Sequence, residues 1–259
     1  MNHKLLDRLF DPRLLPLVGP LLLFGLWELV IAAQWVKPML LPPPGETLVH
    51  LWDSVISGAI KEDFLSTLWR TLAAFGIAVA IGVPLGVMLG SSVHAYRSVE
   101  FLIDFFRSTP SSALIPLFLL IFGITDANKI AIAAFASVLL VLFNSAYGVM
   151  NAKKTRVMAA QIMGVSRWHV FKDVMLMESL AQTFVGLRTG VSMSLVIVIV
   201  AEMFIGSETG LGHRIIDAQQ VFNVKDMYTS ILITGALGYF LNLAFLLIEQ
   251  RIVHWSGKA

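Results

Sequence analysis

The stretch MAAQIMGVSRWHVFKDVML, Met158 to Leu176, is basic and amphipathic, whereas the residues on both sides of it are almost continuously apolar. The apolar segments that flank it cover residues 128–150 and 178–205. Each one supplies the about 20 mainly apolar residues that a helix needs to cross a membrane. The quoted stretch is therefore predicted to be a loop at the membrane surface that joins two spans.

The rest of the chain has the composition of a membrane protein. Of its 259 residues, 57% are hydrophobic and 14% are charged, whereas soluble domains carry roughly 25% charged residues. Four more apolar segments bring the predicted spans to six, and no segment between them has the pattern of a strand. The prediction is an all-α integral membrane protein with six transmembrane helices, in which residues 1–259 form a single domain. The four further segments are residues 14–36, 64–91, 99–123 and 227–253.

The positions of lysine and arginine predict the orientation of the spans, because basic residues in short loops are retained on the cytoplasmic side. Of the 19 such residues, eleven lie on the side of the N-terminus, five lie on the other side and three lie inside spans. Both termini and the loop after residue 150 are therefore predicted to be cytoplasmic. The eleven are Lys4, Arg8, Arg13, Arg97, Lys153, Lys154, Arg156, Arg167, Lys172, Arg251 and Lys258; the five are Lys37, Lys61, Lys129, Arg214 and Lys225.

The cytoplasmic loop is predicted to contain two short helices, residues 153–163 and 166–175. Gly164 separates them, since glycine adopts the left-handed conformation that ends a helix, and Ser166 is a suitable N-cap for the second. In the second helix, apolar side chains recur at helical spacing, which suits either a groove in a partner protein or the lipid interface. These side chains are Trp168, Phe171 and Met175.

Several stretches together resemble the binding-protein-dependent ABC importer permeases. The strongest are AAQIMGVSRWHVFKDVML (159–176), GLRTGV (186–191) and AEMFIGSETGLG (201–212). The likeness covers nearly the whole chain in the expected order, and it is closest to the branch that serves nitrate, sulfonates and taurine. It implies the type I ABC importer permease architecture. The further matches are LWELV (26–30), LPPP (41–44), FFRSTPSSALIPLFLLIFGI (105–124) and Asn144.

The resemblance implies a function for the loop at about 151–177: its coupling helix docks into a cleft on a cytoplasmic ATPase subunit. It also implies two such ATPases carrying ATP and Mg, a periplasmic or lipid-anchored solute-binding protein, a second permease copy, and a multi-pass position in the bacterial inner membrane. No cofactor or metal in this chain is expected, and no nucleic acid partner. The expected docking residues are Ala159, Ala160, Gly164, Val165, Ser166, Arg167, Trp168 and Phe171.

Two residues depart from the family pattern. The family usually has glutamate where this chain has Met158, and a Leu-Pro pair where it has Leu176 and Met177. The first change removes a polar contact with the ATPase or within the loop, and the second removes a fixed bend before the fifth span. Docking on the ATPase could therefore be weaker or differently shaped, and one explanation is that this chain pairs with a second, non-identical permease instead of forming a homodimer.

The remaining motifs weigh against catalysis in this chain. No Gly-x-x-x-x-Gly-Lys-Ser/Thr phosphate loop occurs, and the only Gly-Lys pair is Gly257 and Lys258. The six histidines show no metal-ligand spacing, and the absence of cysteine excludes disulfides and thiolate sites. A secondary transporter or channel not coupled to ATP remains the alternative, although no repeated halves are evident. Pro84 and Pro110 could bend the second and third spans, and they are interpreted as packing features rather than ion sites.

Charges inside the spans are the candidates for a solute pathway, because an intramembrane charge usually has a partner or a watery cavity. Arg107 and Arg188 would favour an anion if they faced a central vestibule. The alternative is that they pair with Asp104, Glu178 or helix carbonyls. Further candidates are Asn144 and Glu202, whereas Glu28 is expected to contact another helix.

The second span carries a stripe of small residues every four positions, which predicts close packing of another helix. On the outside, residues 41–64 present an apolar face suited to the membrane surface, and residues 206–226 contain glycines suited to a tight turn. The resemblance implies that both meet the binding protein. It also implies a small anion such as a sulfonate, taurine, nitrate or bicarbonate, with thiamine precursors, riboflavin-like compounds and aromatic acids left open. The stripe is Ala74, Ala78, Gly82, Gly86 and Gly90.

Overall fold

Residues 15–37 and 39–253 are described in the computed structural model, and within them every regular element is a helix. Two short stretches depart from α-helical geometry: Ser111–Leu114 is a 3₁₀ turn, and Val170–Met175 is π-helical. The all-α prediction is confirmed for this part of the chain. The helices are α1 (Leu15–Ala32), α2 (Pro44–Ile56), α3 (Lys61–Gly90), α4 (Val93–Ser108), α5 (Ile115–Phe122), α6 (Asp126–Met150), α7 (Lys154–Ile162), α8 (Arg167–Ile205), α9 (Leu211–Gln220) and α10 (Val224–Ile252).

The number of spans agrees only in part with the prediction of six. Helices α3, α6, α8 and α10 are each long and apolar enough to cross a membrane. A fifth span is obtained if α4 and α5 count together. The described apolar part of α1, Val18–Ala32, is shorter than a full span. The termini that were predicted to be cytoplasmic, with Lys4, Arg8, Arg13 and Lys258, lie outside the described residues.

The predicted third span, residues 99–123, is broken near its middle. Helices α4 and α5 meet at an angle of 89°. Pro110 disfavours helical geometry in the residue before it, and Thr109 is accordingly extended, with φ −77° and ψ 124°. Helix α3, by contrast, continues through Pro84 to Gly90. The apolar run predicted the membrane segment, whereas the proline determines that it is bent.

The described chain groups into two compact units. The smaller one comprises the residues up to Ile60 together with Ile215–Leu232, and the larger one comprises Lys61–Arg214 together with the residues from Ile233 onward. In the smaller unit, the indole N–H of Trp27 donates to the carbonyl of Pro42 over 3.1 Å, and its ring lies 5.6 Å from that of Tyr228. Glu28, which was expected to contact another helix, is exposed.

The larger unit is built on the packing of α3 and α8 against α6. All five residues of the predicted small-residue stripe on α3 are buried. A Cβ added at Gly82 would lie 2.9 Å from the Cβ of Val141, and one added at Gly86 would lie 2.7 Å from that of Ser145. These distances are too short for a side chain, so the glycines are what allows α3 to approach α6. The predicted packing role of the stripe is confirmed.

The contact between α6 and α8 also uses small residues. The hydroxyls of Ser137 and Ser194 lie 2.7 Å apart across it, and both residues are fully buried. Small polar groups that satisfy each other are compatible with a close helix contact in an apolar solvent. Apolar residues of both helices complete this core, among them Ile132, Ala133, Ala136, Ile197, Val198 and Ala201.

Candidate functional site

The first half of the loop between α6 and α8, which was predicted to be cytoplasmic, ends in a Schellman motif, in which two backbone bonds close the last turn of a helix. The N–H of Val165 donates to the carbonyl of Ala160 over 3.1 Å, and that of Gly164 donates to the carbonyl of Gln161 over 3.0 Å. Gly164 has a φ of +77°, which is the left-handed conformation that favours glycine. The predicted break at Gly164 is confirmed.

The second half begins at the predicted cap but does not end where it was predicted to end. The hydroxyl of Ser166 lies 2.8 Å from Nδ1 of His169, and it accepts the backbone N–H of the same residue over 3.5 Å. From Arg167 the chain remains helical for 39 residues to Ile205. The prediction of a short helix that stops at Met175 is therefore wrong, because Leu176 and Met177 offer no proline or cap to stop it.

Apolar side chains of the loop point away from the protein. Trp168 is 65% exposed and Ile162 is 87% exposed, although both are residues that a soluble protein would bury. The ring of Trp168 lies 6.0 Å from that of Phe171, and Val170 beneath them is buried. Of the predicted docking residues, Ala160 and Phe171 are half-buried. The exposed ones are Ala159, Gly164, Val165, Ser166, Arg167 and Trp168.

An ion pair joins the two helices of the loop. Arg156 of α7 donates to the carboxylate of Glu178 in α8. Arg156 is half exposed at its side chain, whereas Glu178 is mostly covered. Both line a cavity of about 430 Å³, together with Asp173, Val174 and Met177. The loop therefore contains an ion pair although Met158 stands where the family usually has glutamate.

The two arginines that were considered for a solute pathway are both paired. Arg107 lies 3.2 Å from Asp104, one of its expected partners, and its guanidinium stands 3.8 Å from the ring centre of Phe143. Arg188 lies 3.8 Å from Glu249. Glu178, one of the partners considered for the two arginines, is bound by Arg156 instead, and Glu249 was not among the partners considered. These contacts agree with the packing interpretation of the two charges.

Asn144 links α6 to α8. Its side-chain oxygen accepts from the amide of Gln182 over 2.8 Å, and its nitrogen donates to the carbonyl of Leu140 over 2.8 Å. Gly186 of α8 lies directly against it, since a Cβ there would be 2.5 Å from the Cβ of Asn144. The pathway candidate is therefore a polar contact between helices in this conformation.

Glu202 is the centre of a buried network at the end of α8 opposite the loop, which we call the distal end. Its side chain is completely buried. Its carboxylate accepts from Arg70 over 2.8 Å, from the hydroxyl of Thr67 over 2.9 Å and from the backbone N–H of Gly212 over 2.9 Å. Each donor replaces a water molecule that the carboxylate loses on burial. Glu202 is therefore an anchor in this conformation, and its side chain is closed off from solvent.

The network continues from Arg70 to a second carboxylate and to the turn after α8. Arg70 donates to the carbonyl of Thr209 over 2.7 Å and pairs with Asp126 at 2.9 Å. Lys129, also buried, lies 3.3 Å from the same Asp126. Gly210 has a φ of +133° and packs against the side chain of Glu202. These contacts connect the distal turn, residues 206–210, to α3, α6 and α8, and we call them the distal network.

The positions of two opposite charges in the sequence could have predicted this network. Arg70 and Glu202 carry opposite charges, and each lies within two turns of the distal end of a predicted span. Two such charges at the same depth are expected to pair, because an unpaired charge in a membrane is costly. A polar cavity of about 630 Å³ opens above Arg70. Its lining is Glu62, Arg70, Ile124, Thr125, Asp126, Lys129, Gly206, Ser207, Glu208 and Thr209.

Comparison with known families gives one match over more than half of the chain. Residues 82–255 match the family model described as "Binding-protein-dependent transport system inner membrane component". This range contains the cytoplasmic loop, α8 and the distal turn.

Several curated proteins are similar along nearly their whole length. A probable ABC transporter permease of Brucella abortus is 29% identical over 235 residues, which cover 91% of this chain and 92% of the relative. The taurine transport system permease TauC of Escherichia coli is 28% identical, covering 91% and 87%. The nitrate import permease NrtB of Leptolyngbya laminosa is 25% identical, covering 89% and 84%.

A solved structure shares the fold. A chain of the MetNI methionine ABC transporter, in an inward-facing conformation, superimposes with a TM-score of 0.63 and 20% identity. The likeness covers 73% of this chain and 94% of that one.

Proposed function

The chain belongs to the binding-protein-dependent transport system inner membrane components, and from that membership we propose that it is the permease subunit of an ATP-driven importer of a small anion. Two cytoplasmic ATPases would carry ATP and Mg, and a solute-binding protein would deliver the solute from the opposite side. A second permease copy, identical or not, would complete a central pathway.

The geometry of the cytoplasmic loop is the observation that carries the coupling proposal. A rigid turn at Gly164 and a capped helix start at Ser166 hold exposed apolar groups outward. Burial of such groups in a partner cleft is favourable, and a fixed backbone lowers the entropy lost on docking. The loop thus has the features of a preformed docking element. The lipid interface is the competing occupant of the same surface.

The proposed cycle moves the loop and the spans together. ATP binding closes the two ATPases on each other, and the docked loops follow them. Since α8 continues from the loop without a break, it carries this movement into the membrane region. The pathway changes from inward-facing to outward-facing and receives solute from the binding protein. Hydrolysis restores the first state.

The proposed solute class is a small organic or inorganic anion, such as taurine, another sulfonate, nitrate or bicarbonate. The names of similar proteins support this class, because they include a taurine permease and a nitrate permease. The arginines at 107 and 188 add no selective site to this argument, because both are paired within the chain. Choice of solute is therefore assigned to the binding protein.

Isolation of the tagged chain from mild detergent tests the proposal directly. The expected result is co-purification of an ATPase subunit, with ATP hydrolysis in the complex. A second permease in the same complex would show the heterodimer that Met158 and Met177 suggest. Recovery of the chain without any ATPase would contradict the coupling proposal and favour a secondary transporter or channel.

Replacement of Gly164 by valine sharpens the test. A β-branched residue at positive φ is strained by about 1–2 kcal/mol, so the turn should rearrange, and ATP hydrolysis should no longer drive uptake. The matched control is Gly123→Val, because Gly123 has a φ of +66° and equally open surroundings but lies between α5 and α6, outside the loop. The control should keep uptake. Unchanged uptake in Gly164→Val would argue against docking through this turn.

A further inference from the structure

Helix α2 presents three chemically different sides. One side is buried, with Thr47 fully and Ser54 almost fully covered. The next side is apolar and faces outward, and Trp52 and Ile56 on it are 64% and 67% exposed. The third side is polar. At 100° per residue, the apolar side holds Leu48, Val49, Trp52, Val55 and Ile56, and the polar side holds Glu46, His50 and Asp53.

The polar side of α2 is attached to the start of a membrane-spanning helix. Glu46 lies 2.7 Å from Lys225, and Nε2 of His50 lies 3.6 Å from the carboxylate of Asp226. Both partners lie in the first turn of α10, which is long and apolar enough to span a membrane. A helix bound at that point lies at the level where α10 enters the membrane.

The N-terminal end of α2 is also held near the beginning of α10. Eleven residues separate it from α1, and the carbonyl of Pro42 in this connection accepts the indole N–H of Trp27. The Trp27 ring also contacts Tyr228 of α10. Aromatic rings with a polar group concentrate at the boundary between lipid and water. Pro43 and Pro44 then start α2 at once, because proline is preset for the first helical turn.

We propose that α2 is an interfacial anchor on the side of the membrane where α10 begins. Its apolar side lies among lipid acyl chains, its polar side faces water, and its ion pairs fix the start of α10 at that depth. A lipid surface fits better than a protein groove, because apolar and charged sides adjoin directly along the helix and the interface offers both environments side by side. The proposal does not depend on ATP or on any partner subunit.

Spin labels placed on single cysteines test the position of α2. The chain contains no cysteine, so Leu48→Cys and Ile56→Cys each give one labelled site while Trp52 is retained. Asp53→Cys on the polar side is the matched control. The full chain is reconstituted in vesicles of phosphatidylethanolamine and phosphatidylglycerol. Collision with oxygen, which partitions into lipid, is compared with collision with a water-soluble nickel chelate.

We expect oxygen to dominate at positions 48 and 56 and the nickel chelate to dominate at position 53. Exclusion of both reagents from 48 and 56 would show that a protein surface covers them, either a second copy or another subunit, and would overturn the proposal. Free access of the nickel chelate to both sites would overturn it as well, because α2 would then stand in water.

The anchoring of α10 is tested by reversing one ion pair. In the Ile56→Cys background, Lys225→Glu places two carboxylates together, and we expect the label to become more mobile and more accessible to the nickel chelate. Adding Glu46→Lys restores opposite charges and should restore the original spectrum. If the reversal leaves the spectrum at residue 56 unchanged, the ion pair does not hold α2 and the anchoring part of the proposal fails.

Discussion

The carboxylate of Glu202 is held by three donors that come from distant parts of the chain. Thr67 and Arg70 belong to α3, and the N–H of Gly212 belongs to α9. Removing one partner of a buried ion pair costs more than the pair contributes, since the other charge remains buried without compensation. This single side chain therefore controls the stability of the distal end.

Glu202→Gln is expected to destabilise the protein strongly. The amide leaves Arg70 with Asp126 as its one carboxylate, so the loss should stay below the roughly 3–5 kcal/mol of a buried charge left with no partner. The measurement is the midpoint of thermal unfolding in detergent. Glu208→Gln, an exposed position in the distal turn, should leave that midpoint unchanged. A normal midpoint with altered transport in Glu202→Gln would instead support the pathway role.

The pair of Arg156 and Glu178 is expected to affect coupling more than stability. Arg156 is half exposed, and exposed pairs contribute only about 0–1 kcal/mol. Arg156→Glu should therefore keep the unfolding midpoint but lower the uptake obtained per ATP hydrolysed, because α7 loses its link to α8.

A charge exchange and a nearby control complete this test. The double variant Arg156→Glu with Glu178→Arg restores opposite charges and should recover the ratio of uptake to hydrolysis. Lys154→Glu changes the net charge of α7 equally and should have no effect. The interpretation fails if the Lys154 and Arg156 variants behave alike.

At the scale of elements, the glycines of α3 decide how closely it approaches α6. A side chain at Gly86 would overlap the backbone of Leu142 and the Cβ of Ser145, whereas one at Gly76 of the same helix meets nothing within 4 Å. Gly86→Leu is therefore expected to prevent assembly, measured as monodisperse protein in gel filtration. Gly76→Leu should assemble normally. Normal assembly of Gly86→Leu with a changed solute preference would refute the packing role.

Helix packing and helix ends could be predicted where they require a residue of a particular type at a particular spacing. The stripe on α3 and the break at Gly164 are of this kind, since both depend on residues that have no substitute at those positions. The end of the second loop helix was predicted at Met175 against these rules. Nothing in Leu176 or Met177 stops a helix, and a boundary expected from the family pattern disappears with its proline.

At the scale of the whole molecule, the sequence alone did not yield the partners of the intramembrane charges. Arg70 and Glu202 are 132 positions apart, and no local pattern brings them together. Comparing the depth of each charge within its span would have suggested the pair. Arg188 shows the limit of that method, because Glu178 was a plausible partner until the contact with Arg156 occupied it.

The orientation of the whole chain across the membrane can also be tested. The charge distribution predicts that the loop containing α7 lies in the cytoplasm and that the distal turn lies outside. Single cysteines at Thr155 and Glu208, both exposed, report on it in a chain that otherwise has none. A membrane-impermeant maleimide applied to spheroplasts should label Glu208→Cys at once and Thr155→Cys only after lysis. The reverse order of labelling would invert the proposed orientation.

The unbroken helix α8 has a mechanical consequence. It runs for 39 residues from Arg167 to Ile205, which is roughly 58 Å at 1.5 Å per residue. Where a proline would supply a bend, this chain continues as helix, so a rotation of about 5° around the middle of α8 displaces each end by roughly 2.5 Å. Glu202 is held near the far end by its hydrogen bonds. If the loop docks on a partner, a force applied at Trp168 is therefore transmitted to the contacts of Glu202.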